Sequence, residues 1–303
     1  PSVFELVFSK DSEETLRLIK KVHDSGAKIF VNVMWPELCG GHDDDKAVEE
    51  QKRIGKNDIE KRHFKFTYDS PINNRPFYIL LDVLFEHNHY SELVQKEIQN
   101  DLLLTEPEYL TVSLPSTNCI LADKLTAFAP HTTGIPLNCG KDMEVMKQFY
   151  DVSSLLEIFT DFQQIGSTYG KIAQAEIAYR GIESNSKDCL WDTFEAALCI
   201  ASRGKVSKEE YPIYVKGIRE LRSHIYAENY TPEIAAGRAA KIMYMVACLL
   251  SDTEYLRVND YAKFLDMKIE QEKLASLRYM RKVNPEAYAY VIKTDRLLAE
   301  LQG

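Results

Sequence analysis

His63–Tyr68 (HFKFTY), Asp69–Pro76 (DSPINNRP) and Phe77–Phe85 (FYILLDVLF) form one stretch whose reading decides the first half of the fold. HFKFTY alternates aromatic with polar residues, the period of a half-buried strand. DSPINNRP is a turn cluster, because Asp, Ser, Asn and Pro each favour bent backbone. FYILLDVLF is rich in aromatic and branched residues and is the strongest strand signal in the chain. The three segments together predict a β-hairpin.

Outward from the hairpin, toward the N-terminus, Asp11-Ser-Glu-Glu14 has the capping-box spacing and opens a predicted helix that Gly26 ends. Lys28–Trp35 (KIFVNVMW) alternates and reads as a strand. Cys39–Lys61 is polar and charged and reads as a loop with one surface helix. Toward the C-terminus, Tyr109–Leu114 is a further short strand. Asn118–Phe128 (NCILADKLTAF) is a helix with Ile120, Leu121, Leu125 and Phe128 on its apolar stripe. Beyond Met143 helices dominate, near 143–163, 166–184, 188–203, 207–229, 232–250, 253–267 and 269–300, the last with a break before Pro285. Ser207-Lys-Glu-Glu210 is a second capping box, and Thr231-Pro232 pairs an N-cap with proline at the first helical position. Eight of the eleven prolines precede residue 137, which sets a proline-bearing α/β part before a helical one, since helix interiors exclude proline.

The composition is that of a globular chain: 303 residues, 45% hydrophobic and 27% charged. Its length gives a prior of two domains. The longest apolar run, Ile242–Leu250, is half of what a membrane span requires, and no signal peptide is evident, so the expectation is a soluble cytoplasmic protein with no membrane association. A net charge of −9 disfavours a protein that coats nucleic acid through its overall field. The six cysteines contain no CxxC pair and read as scattered, mostly buried thiols.

Asp82 is the most informative single residue, an acid inside Ile79-Leu-Leu-Asp-Val-Leu-Phe85. A charge there costs several kcal/mol unless it is paired or binds a cation. It reads either as a strand-end aspartate facing solvent or as a metal-binding carboxylate holding Mg²⁺ with triphosphate oxygens. Lys124 reads as a surface lysine or as a phosphate-binding one. Lys147 and Asp151, spaced i, i+4, read as a plain ion pair or as a lysine for phosphate with an acid that orients it or acts as a general base. His87 and His89 alternate onto one face without an evident third ligand. Gly40–Asp45 (GGHDDD) reads as a solvated acidic loop before it reads as a phosphate turn.

HFKFTYDS, YILLDVLFEHNHY, ILADKLTAFAPHTTGIPL and Met146-Lys-Gln-Phe-Tyr-Asp151 follow one another in an order and spacing that resemble the AbiEii/AbiGii-type nucleotidyltransferase toxin family, over most of residues 60–160. The resemblance implies an α+β fold: a nucleotidyltransferase-like mixed-sheet domain over residues 1–140, then an all-helical bundle domain over 141–303. It implies Mg²⁺-dependent transfer of a nucleoside monophosphate from an NTP to an acceptor, which in some relatives is tRNA. It also implies the toxin of a toxin–antitoxin or phage-defence system, with a cognate antitoxin protein as partner. By the same resemblance Asp82 is the strand carboxylate that binds metal, Lys124 and Asp151 are catalytic, and Lys124 and Lys147 bind nucleotide. An RNA acceptor implies a basic groove, for which Lys124, Lys141, Lys147, Lys171 and Arg180 are candidates. The family's Gly-Gly-Ser/Thr turn and Asp-x-Asp strand have no counterpart in the expected place. Ser2–Phe8 stands there with Glu5 as its one acid. That departure supports the alternative of a non-catalytic member that binds nucleotide, RNA or protein with a degenerate metal site.

Overall fold

In the computed structural model the described residues are 3–8, 48–51, 61–69, 75–85, 87–99 and 107–302. The predicted helix over 11–26, the strand Lys28–Trp35 and the acidic loop Gly40–Asp45 lie outside them. The chain divides into two compact units, one of residues 1–89 and 94–114, the other of 90–93 and 115–303. The second unit thus takes in residues 115–140, ahead of the expected division at 140.

The first unit carries four strands, β1 (Val3–Phe8), β2 (Val48–Gln51), β3 (Lys61–Asp69) and β4 (Pro76–Phe85), in the order β1-β4-β3-β2. β3 and β4 are the expected hairpin, antiparallel from Asp69↔Pro76 to Lys61↔Leu84. β1 pairs parallel with β4, so β4 is flanked on both sides. Its nearly unbroken apolar run suits an interior strand. β2 corrects the loop reading of Cys39–Lys61: Val48-Glu-Glu-Gln51 pairs antiparallel with β3. A separate two-stranded sheet joins β5 (Leu93–Glu97), which the sequence did not announce, to β6 (Thr111–Pro115). β5 is exposed along its whole length, so it carries no apolar alternation for a sequence reading to find.

The helical unit begins with α1 (Thr117–Ala127), capped by Ser116. It continues with α2 (Asp142–Leu155), α3 (Phe162–Arg180), α4 (Ser186–Ala201), α5 (Tyr211–Leu221), α6 (Pro232–Ser251), α7 (Met280–Val283) and α8 (Pro285–Gln302). α6 packs on α4 and α8, α1 on α2 and α3, and α2 on α5. Leu121, Leu125 and Phe128 of the predicted stripe are buried, and Phe128 meets Phe149 edge-on at 5.2 Å. Among the described residues α6 alone is long and apolar enough to cross a membrane, and 72% of its apolar window is buried inside the bundle, as befits a core helix. Cys119, Cys189, Cys199 and Cys248 are buried free thiols, while Cys139 is exposed.

Three helix expectations are corrected. The helix read through residue 163 ends at Leu155, where Arg257 Nη2 donates to the carbonyls of Leu156, Glu157 and Phe159. The helix read over 253–267 is absent, save for a 3-10 turn at Tyr261–Phe264. Asp252 takes a left-handed conformation (φ 52°) that ends α6. The chain beyond it is irregular, and tyrosine hydroxyls of α6 and α8 accept from its amides: Leu256 N–H bonds Tyr244 and Val258 N–H bonds Tyr290. Those tertiary partners replace the helical ones that local propensity alone would require. The helix read over 207–229 starts at Tyr211 and gives way to a 3-10 turn at Arg222–His224.

Candidate functional site

Lys124 lies in the last turn of α1, where a cation is favoured by the helix dipole. The packing of α1 on α2 brings its ammonium 3.5 Å from a carboxylate oxygen of Asp151 and 3.1 Å from Gln148 Oε1, both on α2. Lys124 and Asp151 are each about three-quarters buried at the side chain. The structure therefore joins two of the sequence-derived residues, but as a pair between helices. Asp151 bonds Lys124 and not Lys147 four residues before it, and Lys147 is exposed. Of the other groove candidates, Lys141, Lys171 and Arg180 are exposed, and Arg180 pairs with Glu176 at 3.8 Å.

Asp82 lies within β4 and not at its end, so the reading of a strand-end aspartate does not describe its place. Across the sheet it stands in register with Glu5 of β1 on one side and His63 of β3 on the other. One row of three adjacent strands thus carries two acids and an imidazole residue. His87 is exposed in a loop, and among the residues whose side chains are described no group of three or more His, Cys, Asp and Glu is arranged to hold a metal ion.

A third cluster was not singled out by the sequence. It lies in and around the loop of residues 128–140 that follows α1. Asp192 of α4 is buried, its side chain only 5% exposed. Its carboxylate accepts from His131 N–H at 2.8 Å, from the His131 ring through Nδ1 at 2.7 Å, and from Thr132 Oγ1 at 2.8 Å. His131 Nε2 bonds Glu210 at 3.0 Å. Burial by itself lowers the His131 pKa, but the hydrogen bonds and charges of Asp192 and Glu210 outweigh it and hold the pKa above its ordinary value. Ser207 Oγ does accept from Glu210 N–H at 3.4 Å, as the predicted capping box requires, while the Glu210 carboxylate is turned to His131. Next in the loop, Thr133 Oγ1 donates to the Thr126 carbonyl at the end of α1. Gly134 is where the chain folds back on itself: a Cβ there would lie 2.6 Å from Ala127 O. The motif segment DKLTAFAPHTTGIP is thus in good part a clamp that fixes the end of α1, and with it Lys124. One signal in the sequence was available, the acid of Leu190-Trp-Asp192-Thr-Phe194 in an otherwise apolar stretch, which is the reasoning that singled out Asp82.

The family model described as nucleotidyl transferase AbiEii toxin of type IV toxin–antitoxin systems matches residues 36–236, two-thirds of the chain. The chain belongs to that family. In this AbiEii member the match takes in Asp82, His63, Lys124, Lys147, Asp151, His131, Asp192 and Glu210, and leaves out Glu5. A second model, described as a domain of unknown function, matches residues 1–61 and overlaps the first over 36–61. No curated protein and no solved structure matches the chain. AbiEii proteins are nucleotidyl transferases, so the family supplies the class of reaction, an NTP as substrate and a cognate antitoxin as partner.

Proposed function

We propose that the protein is the toxin of a toxin–antitoxin pair and transfers a nucleoside monophosphate from an NTP to an RNA acceptor such as tRNA, with Mg²⁺. The observation that carries this reading is the Lys124–Asp151 pair, held with Gln148 on two packed helices inside the family-matched segment. A lysine fixed by an acid and an amide is positioned before substrate arrives, and preorganised charge is what phosphoryl-type transfer draws on. In this mechanism Lys124 meets the charge that develops on the triphosphate. Asp151 orients Lys124, and exposed Lys147 contributes to the phosphate field. Asp82 and Glu5 occupy adjacent register positions beside His63, and carboxylates are the donor type Mg²⁺ takes, so the fit rests on residue type and register. When bound, Mg²⁺ would neutralise triphosphate oxygens and align them for displacement. Asp82 and Glu5 would hold it.

A second reading, a non-catalytic member that binds nucleotide, RNA or protein, is favoured by one observation: β1 carries a single acid where the family resemblance calls for two. Incubation with total tRNA and each of the four α-labelled NTPs in turn, with MgCl₂, separates the readings. Label transferred by the wild type and lost in Asp82→Asn and Lys124→Ala supports the transferase. Equal turnover in wild type and both variants removes these residues from the mechanism, and no transfer with any NTP favours the binding reading.

A further inference from the structure

The turn that ends α4 has backbone strain and a charge arrangement that the site above does not use. Arg203 is in the left-handed region (φ 55°), which non-glycine residues seldom occupy, and Gly204 follows it at φ 76°. Gly204 is required there, since a Cβ would come within 2.7 Å of Tyr211. The turn carries two cations onto one aromatic ring. The Arg203 guanidinium lies 4.9 Å and the Lys205 ammonium 5.6 Å from the ring centre of Tyr279. The ring is itself anchored, its hydroxyl donating to the Ala201 carbonyl at 2.7 Å. Arg278 precedes Tyr279, and Lys282 follows it at helical i+3 spacing. All four cations are exposed, and none of them forms an ion pair with a described residue. They concentrate positive charge locally on a chain of net charge −9.

Beside these cations lies a recess of about 260 Å³. Arg203, Tyr279 and Asn284 line it, with apolar wall from Ile234, Met280 and Val283, and Glu233 is its one acid. Gly237 lines it beside Asn284, whose amide nitrogen would lie 2.5 Å from a Cβ at that position. A purely acidic chain such as polyglutamate offers carboxylates for the cations but no flat apolar group for the recess. A nucleotide chain offers both a phosphate series and a flat base. We infer that this face of the helical unit, centred on Tyr279, docks the phosphodiester backbone of single-stranded RNA. Arg203, Lys205 and Lys282 contact phosphates and the recess receives a base. The inference rests on the transferase reading for RNA as the acceptor, but binding here requires neither NTP nor metal.

The test is fluorescence anisotropy with a labelled oligouridylate RNA, without NTP, over a salt series. The triple variant Arg203→Gln/Lys205→Gln/Lys282→Gln is expected to bind at least about tenfold more weakly and to lower the salt slope by about 2, since each single-strand phosphate contact contributes about 0.7 to it. Lys187→Gln, an exposed cation at the start of α4, is expected to bind as the wild type does. Lys205→Gln and Lys282→Gln alone, which leave the strained turn intact, are expected to shift affinity in the same direction should the triple variant fail to fold. Wild-type affinity in the folded triple variant, an equal loss in Lys187→Gln, no RNA binding by the wild type at low salt, or polyglutamate bound as tightly as RNA would each overturn the inference. RNA bound through these residues without label transfer would remove the transferase reading and leave the docking face standing. Transfer with an unchanged RNA KM in the triple variant would do the reverse.

Discussion

Replacing Asp192 by alanine tests the clamp behind Lys124. The buried carboxylate accepts three hydrogen bonds, two from His131 and one from Thr132. Its removal orphans the His131 amide and the Thr132 hydroxyl, and leaves His131 with Glu210 alone. Taking one partner from a buried charge pair costs about 3–5 kcal/mol. The His131 ring is about half exposed, which discounts its share, so about 3 kcal/mol is expected for Asp192→Ala. His131→Ala keeps its backbone N–H and the Thr132 bond, and loses the two charge-assisted contacts of a half-exposed ring, to Asp192 and to Glu210, about 1–2 kcal/mol. The double variant should cost little more than Asp192→Ala, because the two residues share one interaction. The pH dependence follows from the raised His131 pKa. Its contribution is complete below the unfolded value of about 6.5 and is lost as pH rises through the higher folded value. Urea unfolding followed by the fluorescence of Trp191, adjacent to Asp192, in a Trp35→Phe background reads this out at about pH 6 and about pH 9. His131→Ala should be destabilised relative to its parent at the lower pH and nearly equal to it at the higher. A cost for His131→Ala that is the same at both pH values, or an Asp192→Ala variant as stable as its parent, would refute the reasoning.

Further expectations concern packing and the site. Gly217→Ala on α5 should destabilise by about 2 kcal/mol or more, because the new methyl would collide with the Asp142 carbonyl and lie 2.7 Å from Met146 Cγ; a denaturant midpoint equal to wild type would contradict the close approach of α5 to α2. Asn118→Ala should cost about 2 kcal/mol, since the Asn118 amide accepts from Thr160 N–H at 2.9 Å and donates to Gln164 Oε1 at 2.6 Å, joining α1 to the start of α3; thermal unfolding by circular dichroism checks it. Asp151→Asn should lower kcat for label transfer more than it raises the NTP KM, because it loosens the orientation of Lys124 while leaving the ammonium in place; a change confined to KM would assign Asp151 to substrate binding.

Several features were legible because their causes are local. The hairpin follows from alternation on both sides of a turn cluster, and β3 and β4 do pair antiparallel. α1 and the Thr231-Pro232 start of α6 follow from caps and apolar spacing, and Thr231 does accept from Ile234 N–H. Family membership was readable in motifs that lie within the matched segment. Asp82 was singled out from the cost of an unpaired charge in an apolar run, and it lies within β4. The same inference applies to Asp192, whose partners were out of reach of a sequence reading because His131 lies 61 residues away.

What tertiary structure alone decided were interactions between distant parts of the chain. Local periodicity pairs Lys147 with Asp151, yet helix packing gives Asp151 to Lys124. The Glu210 carboxylate that a capping box would turn inward goes to His131. Residues 253–267 read as a helix, but hydroxyls of Tyr244 and Tyr290 meet the amides of Leu256 and Val258, and the segment from 253 to 258 is irregular. The cations around Tyr279 come from two segments more than 70 residues apart in sequence. Backbone propensity, capping and periodicity act over a few residues and are written in the sequence at that range. The partner of a buried charge, and the field of a surface patch, depend on which distant residues the packing brings together.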